Sequence, residues 1–169
     1  KDDLGKTLFS DKVTVVEDPH RLRGSASRPV DGEGLPTVKR NIIDKGMLTT
    51  WIMDLRTARQ LKLAPTGHGA RGLSSPPSAS TSNIHMEAGA RSPEEIMKDF
   101  GTGLLVTEFI GSTINMVTGD YSRGASGFWI ESGEITYPVS GITVAGNLRD
   151  MFAKLEPASD LIFRGSMNV

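Results

Sequence analysis

The residues that a zinc site would use first, three histidines, are scattered along the chain as His20, His68 and His85. No His-Glu-x-x-His pair occurs, so the helical zinc motif with its glutamate base is absent from the sequence. A site built from His68, His85 and Glu87 is geometrically open, but a catalytic zinc needs three converging protein ligands, and the 169 residues include no cysteine. We therefore predict surface or loop histidines, and no metal, cofactor or catalytic residue in this chain.

Two glycine-containing motifs resemble catalytic or nucleotide-binding signatures and fail on context. The segment 124–127 (GASG) places its second glycine one residue too early for a nucleophile elbow and leads into a predicted strand. The segment 67–72 (GHGARG) matches the dinucleotide-binding string, but a predicted helix precedes it and Ser-Ser-Pro-Pro follows it. The sequence from 66 to 83 is therefore predicted to be a long flexible loop of small polar residues.

One constellation remains between the predicted strands, at residues 119–127 (GDYSRGASG). It combines glycines, a charge pair, an aromatic hydroxyl and two serines. One interpretation is a solvated connection whose glycines serve turn geometry; the other is a loop that presents Arg123 and backbone amides to a ligand or partner. The candidate residues of this substrate or partner loop are Asp120, Tyr121, Ser122, Arg123 and Ser126.

The elements that would position this loop are mostly short strands. Two apolar runs, 37–43 and 47–54, flank Asp44-Lys45-Gly46, which predicts a β-hairpin with a glycine at positive φ. A second hairpin is predicted at 128–131 and 134–139 around Ser132-Gly133, after a strand over 104–110. This pattern favours one mainly antiparallel β (α+β) domain with a few short helices.

Three helices are predicted from capping signals and apolar spacing. Asp54 can cap a helix from Leu55, Ser92-Pro93-Glu94-Glu95 is a capping box with proline at the first helical position, and Asn147 can cap the last helix. The predicted buried faces are Ile96, Met97 and Phe100 for the second helix, and Leu148, Met151, Phe152 and Leu155 for the third.

Composition excludes several classes of protein. The formal net charge is −1, and no basic run is longer than Lys39-Arg40, which argues against direct nucleic-acid binding. No apolar stretch reaches the ~18 residues of a membrane span, and the chain does not begin with Met. We expect a cytoplasmic protein and an excised part of a longer chain.

The sequence resembles the TldD/PmbA family, in its TldE (PmbA) branch. The segment at 119–152 (GDYSRGASGFWIESGEITYPVSGITVAGNLRDMF) looks like the family signature, and segments at 2–19, 24–37, 51–72 and 81–96 follow the same order. The resemblance covers nearly the whole chain and implies the C-terminal domain, residues 1–169, without the N-terminal domain.

The resemblance also implies a function. TldD and TldE form a complex that degrades or trims peptides, and the zinc lies in the TldD-type partner on a His-Glu-x-x-x-His helix of another domain. This chain would then be a metal-free subunit domain that shapes the substrate chamber and the subunit interface, in a homo- or hetero-oligomer. The alternative is an interaction module of the DNA gyrase modulator type without a proteolytic role.

Overall fold

A computed structural model describes residues 2–164 and 167–168, with the backbone alone for Ser112, Arg164, Met167 and Asn168. The chain forms two compact units, Lys1–Glu87 with Leu161–Val169, and Ala88–Asp160. The elements are β1 (Val15–Glu17), β2 (Arg40–Asp44), β3 (Met47–Leu48), α1 (Leu55–Leu61), β4 (Gly69–Ala70), β5 (Ser78–Ala79), β6 (Ile84–Met86), α2 (Pro93–Phe100), β7 (Gly103–Ile114), β8 (Asp120–Glu131), β9 (Glu134–Asn147), α3 (Leu148–Ala153), β10 (Phe163–Arg164) and β11 (Met167–Asn168).

The first unit is built on a four-stranded antiparallel sheet in the order β3-β2-β1-β6. Its strands are rich in β-branched residues, which suit a pleated, half-buried surface. The core under this sheet contains the buried side chains of Val13, Val16, Ile43 and Leu48. The predicted β-rich class is confirmed, because the described residues form mostly antiparallel strands with three short helices.

The hairpin of β2 and β3 turns at Lys45 and Gly46, as predicted, although its strands are shorter than expected. Both residues have positive φ, 46° and 82°, which is the geometry of a two-residue turn of type I′. A Cβ at Gly46 would lie 2.5 Å from the Phe9 carbonyl oxygen, so glycine is needed here for space as well as for φ.

The segment 66–83 is mostly loop, as predicted, but it contains a short antiparallel hairpin in which β4 pairs with β5. The backbone of Ser80 donates to the carbonyl of His68, and Gly32 donates to the carbonyl of Gly69 at 2.6 Å. Backbone pairing to a distant segment orders a stretch whose composition by itself indicates a loop.

The second unit is a three-stranded antiparallel sheet in the order β7-β8-β9. The predicted hairpin at Ser132-Gly133 is confirmed, with φ of 53° and 79°, but its strands of 12 and 14 residues are much longer than predicted. Bulges interrupt the pairing of β7 with β8 and of β8 with β9. Bulges bend and twist a strand, which allows strands of this length to stay paired.

The three helices begin where their caps predict. Asp54 caps α1 through the Thr57 amide at 2.7 Å, Ser92 and Glu95 form the complete capping box of α2, and Asn147 caps α3. Among the described residues, no helix has the length and apolar character that crossing a membrane would require.

The predicted buried faces of the last two helices are wrong. Helices α2 and α3 have no buried residue, and the Phe100 side chain is 71% exposed. Phe152 is half-buried. The apolar residues of an amphipathic helix show which face would be buried if a second layer covered it. The described part of this unit consists of a three-stranded sheet and two helices of eight and six residues. These elements leave the apolar faces of the helices uncovered.

Candidate functional site

The five predicted site residues lie in a strand, so the prediction of a loop at 119–127 is wrong. Asp120, Tyr121, Ser122, Arg123 and Ser126 are all part of β8. The glycines of the segment serve different purposes. Gly119 precedes β8 with φ of 81°, as a turn requires, whereas a Cβ at Gly127 would overlap the backbone of β7.

The strand divides these residues between the two faces of the sheet. Successive side chains of a strand point to opposite faces, so Tyr121 and Arg123 lie on one face and Asp120, Ser122 and Ser126 on the other. Asp120 accepts a hydrogen bond from the Thr118 hydroxyl at 2.6 Å. The structure therefore does not bring all five residues together in one site.

Arg123, the one cation among these five residues, makes two contacts with β7. Its Nε donates to the carbonyl oxygen of Gly111 at 2.6 Å, and its guanidinium carbon lies 4.9 Å from the centroid of the Phe109 ring. A cation at this distance is attracted by the ring. Within the part of the chain that the structure describes, the terminal nitrogens of Arg123 have neither a carboxylate nor another partner.

β8 cannot present backbone amides to a ligand, because it is the central strand and pairs on both sides. The open edges of this sheet in the described chain are those of β7 and β9. Each of these strands carries one acidic residue and no Lys, Arg or His: Glu108 in β7 and Glu134 in β9. An edge strand with few charged side chains is a template for pairing with another chain.

An apolar groove lies beside β7. A pocket of about 230 Å³ is lined by Ile96, Met97, Phe100, Leu104, Leu105 and Ile130. A wider groove of about 920 Å³ shares Ile96, Phe100 and Leu104 with it and continues to α3. Arg91 stands at the rim, where it pairs with Glu156 at 2.7 Å and with Asp99 at 3.0 Å. The open edge of β7 therefore adjoins an apolar surface with charged margins.

The first unit contains a second polar assembly, which is buried. Glu17 and His68 are each 2% exposed, and the Glu17 carboxylate is hydrogen-bonded to His68 Nε2. The other carboxylate oxygen of Glu17 accepts from the Ser82 amide at 2.6 Å and from the Ser82 hydroxyl at 2.9 Å. His68 Nδ1 is hydrogen-bonded to the Thr66 hydroxyl at 2.7 Å. Every polar atom of the pair has a partner, which is the condition for burying such groups.

The chemistry of this assembly is structural. In a nucleophilic triad the serine hydroxyl bonds to the imidazole, which removes its proton. Here the Ser82 hydroxyl donates to the carboxylate, and Ser82, His68 and Glu17 are all buried. Burial by itself raises the pKa of Glu17. The hydrogen bonds with His68 and Ser82 lower the pKa by more than burial raises it, so that it falls below its ordinary value.

Asp31 connects its own loop, residues 31–35, to the segment that follows His68. Its carboxylate accepts from the amides of Glu33 and Leu35, both at 2.9 Å, and from the Gly69 amide at 2.8 Å. Burial opposes its ionisation, but these three amides lower its pKa below the ordinary value. The carboxylate of Glu33 in turn accepts from the Leu55 amide at the start of α1, at 2.7 Å.

The prediction of surface or loop histidines holds in part. His20 is exposed in a turn, where its Nε2 is hydrogen-bonded to the Thr37 hydroxyl at 3.1 Å. His68 lies in a loop but is buried, and His85 lies in β6, half-buried and edge-on against Phe163 with ring centroids 5.0 Å apart. Burial, with the nearby charge of Arg21, lowers the pKa of His85. No group of three or more possible metal ligands occurs among the described residues.

Sequence reasoning missed Glu17, Asp31 and the role of His68. Glu17 ends a β-branched run, where an acidic residue is ordinarily exposed, and its partner is 51 positions away. Two signals were present in the sequence. The glycines around His68 indicate close backbone approach, and Asp31-Gly32 is a turn dipeptide whose carboxylate can accept backbone amides.

Comparison with known proteins gives one consistent result. The family model described as the PmbA/TldA metallopeptidase C-terminal domain matches residues 1–169. The Metalloprotease PmbA of Escherichia coli O157:H7 is 47% identical over 154 residues, which are 91% of this chain and 32% of that protein. The Metalloprotease TldD homolog of Haemophilus influenzae is 26% identical over 159 residues, 93% of this chain and 33% of that protein.

Solved structures agree. A protein of Thermotoga maritima MSB8 described as a modulator of a DNA gyrase superimposes with a TM-score of 0.85 at 31% identity, covering 98% of this chain and 38% of that one. TldE from Thermococcus kodakarensis superimposes with a TM-score of 0.84 at 25% identity, with the same coverage. The chain thus spans about a third of the length of the curated relatives it matches.

Proposed function

Because the chain belongs to the PmbA/TldD metallopeptidase family, we propose that it is a non-catalytic domain of a peptide-cleaving complex. In this proposal the domain holds an extended peptide in the substrate chamber and contributes to the contact with a TldD-like subunit, which supplies the zinc. The complex is placed in the cytoplasm, as an oligomer of like or unlike subunits.

The observation that carries the proposal is the open edge of β7 beside the apolar groove. A peptide that adds as a strand gains main-chain hydrogen bonds from the edge, while alternate side chains enter pockets next to it. Residues Gly103–Val106 pair with β8 without interruption, so their outer edge keeps regular strand geometry. Phe100 and Leu104 line the groove directly beside this run. The arrangement suits apolar side chains and requires little further sequence discrimination.

The engagement of the histidines supports a non-catalytic role. His20 and His68 are used in hydrogen bonds within the first unit, and His85 packs on Phe163. A catalytic zinc site needs converging ligands and an open coordination position. In this proposal that site lies on a helix of another domain, and the relatives, about three times as long as this chain, have room for one.

Hydrogen exchange with and without a bound peptide tests the proposal. An extended heptapeptide with leucine at alternate positions should slow exchange of the amides in Gly103–Val106, because a paired edge amide is no longer exposed to water. Phe100→Ala should weaken binding about 5-fold, since a largely exposed wall of the groove is lost. Phe128→Ala is the matched control, because Phe128 is also exposed but does not line the groove.

Two results would contradict the proposal. Slowed exchange confined to β9, or to the first unit, would place the peptide elsewhere. If the protein does not co-purify with a subunit that carries a His-Glu-x-x-x-His motif, the proposed contact with a TldD-like subunit is wrong.

A further inference from the structure

A bulge in β7 lies directly opposite Arg123. Gly124 pairs with Ile110 and Ser122 with Thr113, so that the two residues Gly111 and Ser112 face the single residue Arg123. Gly111 has φ of 69°, in the left-handed region that favours glycine. Its carbonyl oxygen accepts from Arg123 Nε at 2.6 Å. Bulges recur where a strand re-aims a side chain, and this one fixes the guanidinium above β7.

The guanidinium is held at two points and keeps its outer edge open. Nε is hydrogen-bonded to the Gly111 carbonyl, and the guanidinium carbon lies 4.9 Å from the centroid of the Phe109 ring. The two terminal nitrogens, which form the end-on fork for a carboxylate, have no partner within the described residues. A side chain that is already fixed loses less conformational entropy when it binds a ligand.

The second unit has more acidic than basic residues, and the terminal nitrogens of Arg123 nevertheless have no acidic partner within the described residues. The unit Ala88–Asp160 contains ten Asp and Glu but five Lys and Arg. Arg91 is paired with two of these acids. The acids closest to Arg123 along the sheet, Asp120 and Glu108, lie on the opposite face, where they accept from the hydroxyls of Thr118 and Ser126. An unpaired guanidinium within an acidic unit is suited to a carboxylate that comes from elsewhere.

Apolar side chains flank the guanidinium on its own face. Phe109 is 44% exposed and Ile114 is 42% exposed, and both pair with residues that share the face of Arg123. The surface therefore fits a carboxylate next to an apolar side chain. Leu104 and Gly111 are seven positions apart on β7, which is about 23 Å at 3.3 Å per residue. A peptide of about seven residues on the β7 edge would reach from the groove to Arg123.

We infer that Arg123, aimed by the Gly111 bulge, binds a carboxylate of the extended peptide. The inference rests on the proposed function and specifies which ligands that site takes. The carboxylate is either the C-terminus of the peptide or the side chain of an Asp or Glu. In both cases the binding is end-on, through the two terminal nitrogens of the guanidinium.

Three peptides test the site by fluorescence anisotropy with the purified protein. The probe is fluorescein-Ser-Val-Ser-Val-Ser-Val-Leu with a free C-terminal carboxylate; the other two are its C-terminal amide and the amide with Glu in place of the last Ser. We expect the free acid to bind about tenfold more tightly than the plain amide, the low end for a charge-assisted hydrogen-bonded pair. If the Glu peptide binds as tightly as the free acid, the site binds side-chain carboxylates as well as C-terminal carboxylates.

The variants assign the effect to Arg123. In Arg123→Ala the acid-to-amide ratio should fall to about 1, and Arg123→Lys should retain only part of it, because an ammonium lacks the planar fork. Arg149→Ala removes another cation of the same unit and should leave the ratio unchanged. Thermal unfolding of each variant shows that the fold is intact.

The outcomes separate this inference from the proposed function. Equal binding of all three peptides, with exchange protection of Gly103–Val106, overturns the carboxylate site and leaves the peptide edge standing. Survival of the tenfold ratio in Arg123→Ala also overturns the site. Absence of binding by every peptide overturns both.

Discussion

Removal of His68 is the perturbation with the largest expected effect on stability. In His68→Ala, one carboxylate oxygen of Glu17 loses the imidazole as its partner and stays buried, while the other keeps both groups of Ser82. Deleting the partner of a buried, ionised carboxylate leaves the charge uncompensated, at a cost of about 3–5 kcal/mol. A domain has a total stability of about 5–15 kcal/mol, so we expect a large drop in the urea midpoint.

Glu17→Gln keeps the shape and most hydrogen bonds of the pair. The amide oxygen can accept from Ser82, and the amide nitrogen can donate to a neutral His68. The expected cost is about 1–2 kcal/mol, that of a weakened buried hydrogen bond. Lys6→Ala is the control, because Lys6 and Asp3 form an ion pair at 2.8 Å between exposed side chains and such pairs contribute about 0–1 kcal/mol.

The pH dependence follows from the direction of the Glu17 shift. Its pKa is lower in the folded protein than in the unfolded chain, so its contribution is complete above the unfolded value, about 4.3 for glutamate. That contribution is lost as the pH falls through the lower, folded value. Urea unfolding between about pH 5 and pH 2 should therefore show a weaker acid dependence in Glu17→Gln than in the unmodified protein.

Urea unfolding at neutral pH, monitored by circular dichroism, measures the free energies. A cost below about 1 kcal/mol for His68→Ala, or an equal cost for His68→Ala and Lys6→Ala, would refute the view that this pair holds the first unit together. An unchanged acid dependence in Glu17→Gln would refute the assigned ionisation.

Three further predictions concern local geometry and metal. Gly46→Ala should destabilise the protein by more than Gly34→Ala. Both glycines have φ near 80°, a strain that alone costs about 1–2 kcal/mol, but only at Gly46 would the added Cβ meet backbone carbonyl oxygens, those of Phe9 at 2.5 Å and Ser10 at 2.7 Å. Equal losses in urea unfolding would contradict the steric argument. Ser92→Ala should cost about 1 kcal/mol through loss of the capping box, measured by urea unfolding, and a neutral change would show that α2 does not depend on its cap. Purified, untagged protein should contain well under one zinc per chain by elemental analysis, and one zinc that is lost in His85→Ala would overturn the non-catalytic proposal.

Local elements could be read from the sequence because their interactions span few residues. The caps at Asp54, Ser92 and Asn147 act within three positions, and the turns at Lys45-Gly46 and Ser132-Gly133 need only the positive φ of two neighbours. The family was recognised from several segments in a fixed order, and the match over residues 1–169 confirms it.

Burial of the helices could not be read in the same way. The apolar spacing of α2 and α3 correctly marks one face, but the described second unit supplies no layer that would cover it, so Phe100 and Met151 remain exposed. Similarly, glycines and polar residues at 119–127 indicate a loop by composition, whereas pairing on both sides makes the segment the central strand β8. Pairing partners 7 to 27 positions away decided what local propensity could not.

The sequence alone determined the β-rich class, the helix starts, the tight turns and the family. Only the tertiary structure joined Glu17 to His68 across 51 positions and placed Arg123 against the Gly111 bulge 12 positions away. The free energy of burying a polar group depends on whether a distant partner satisfies it. That partner is set by the path of the whole chain, and no local pattern of residues specifies it.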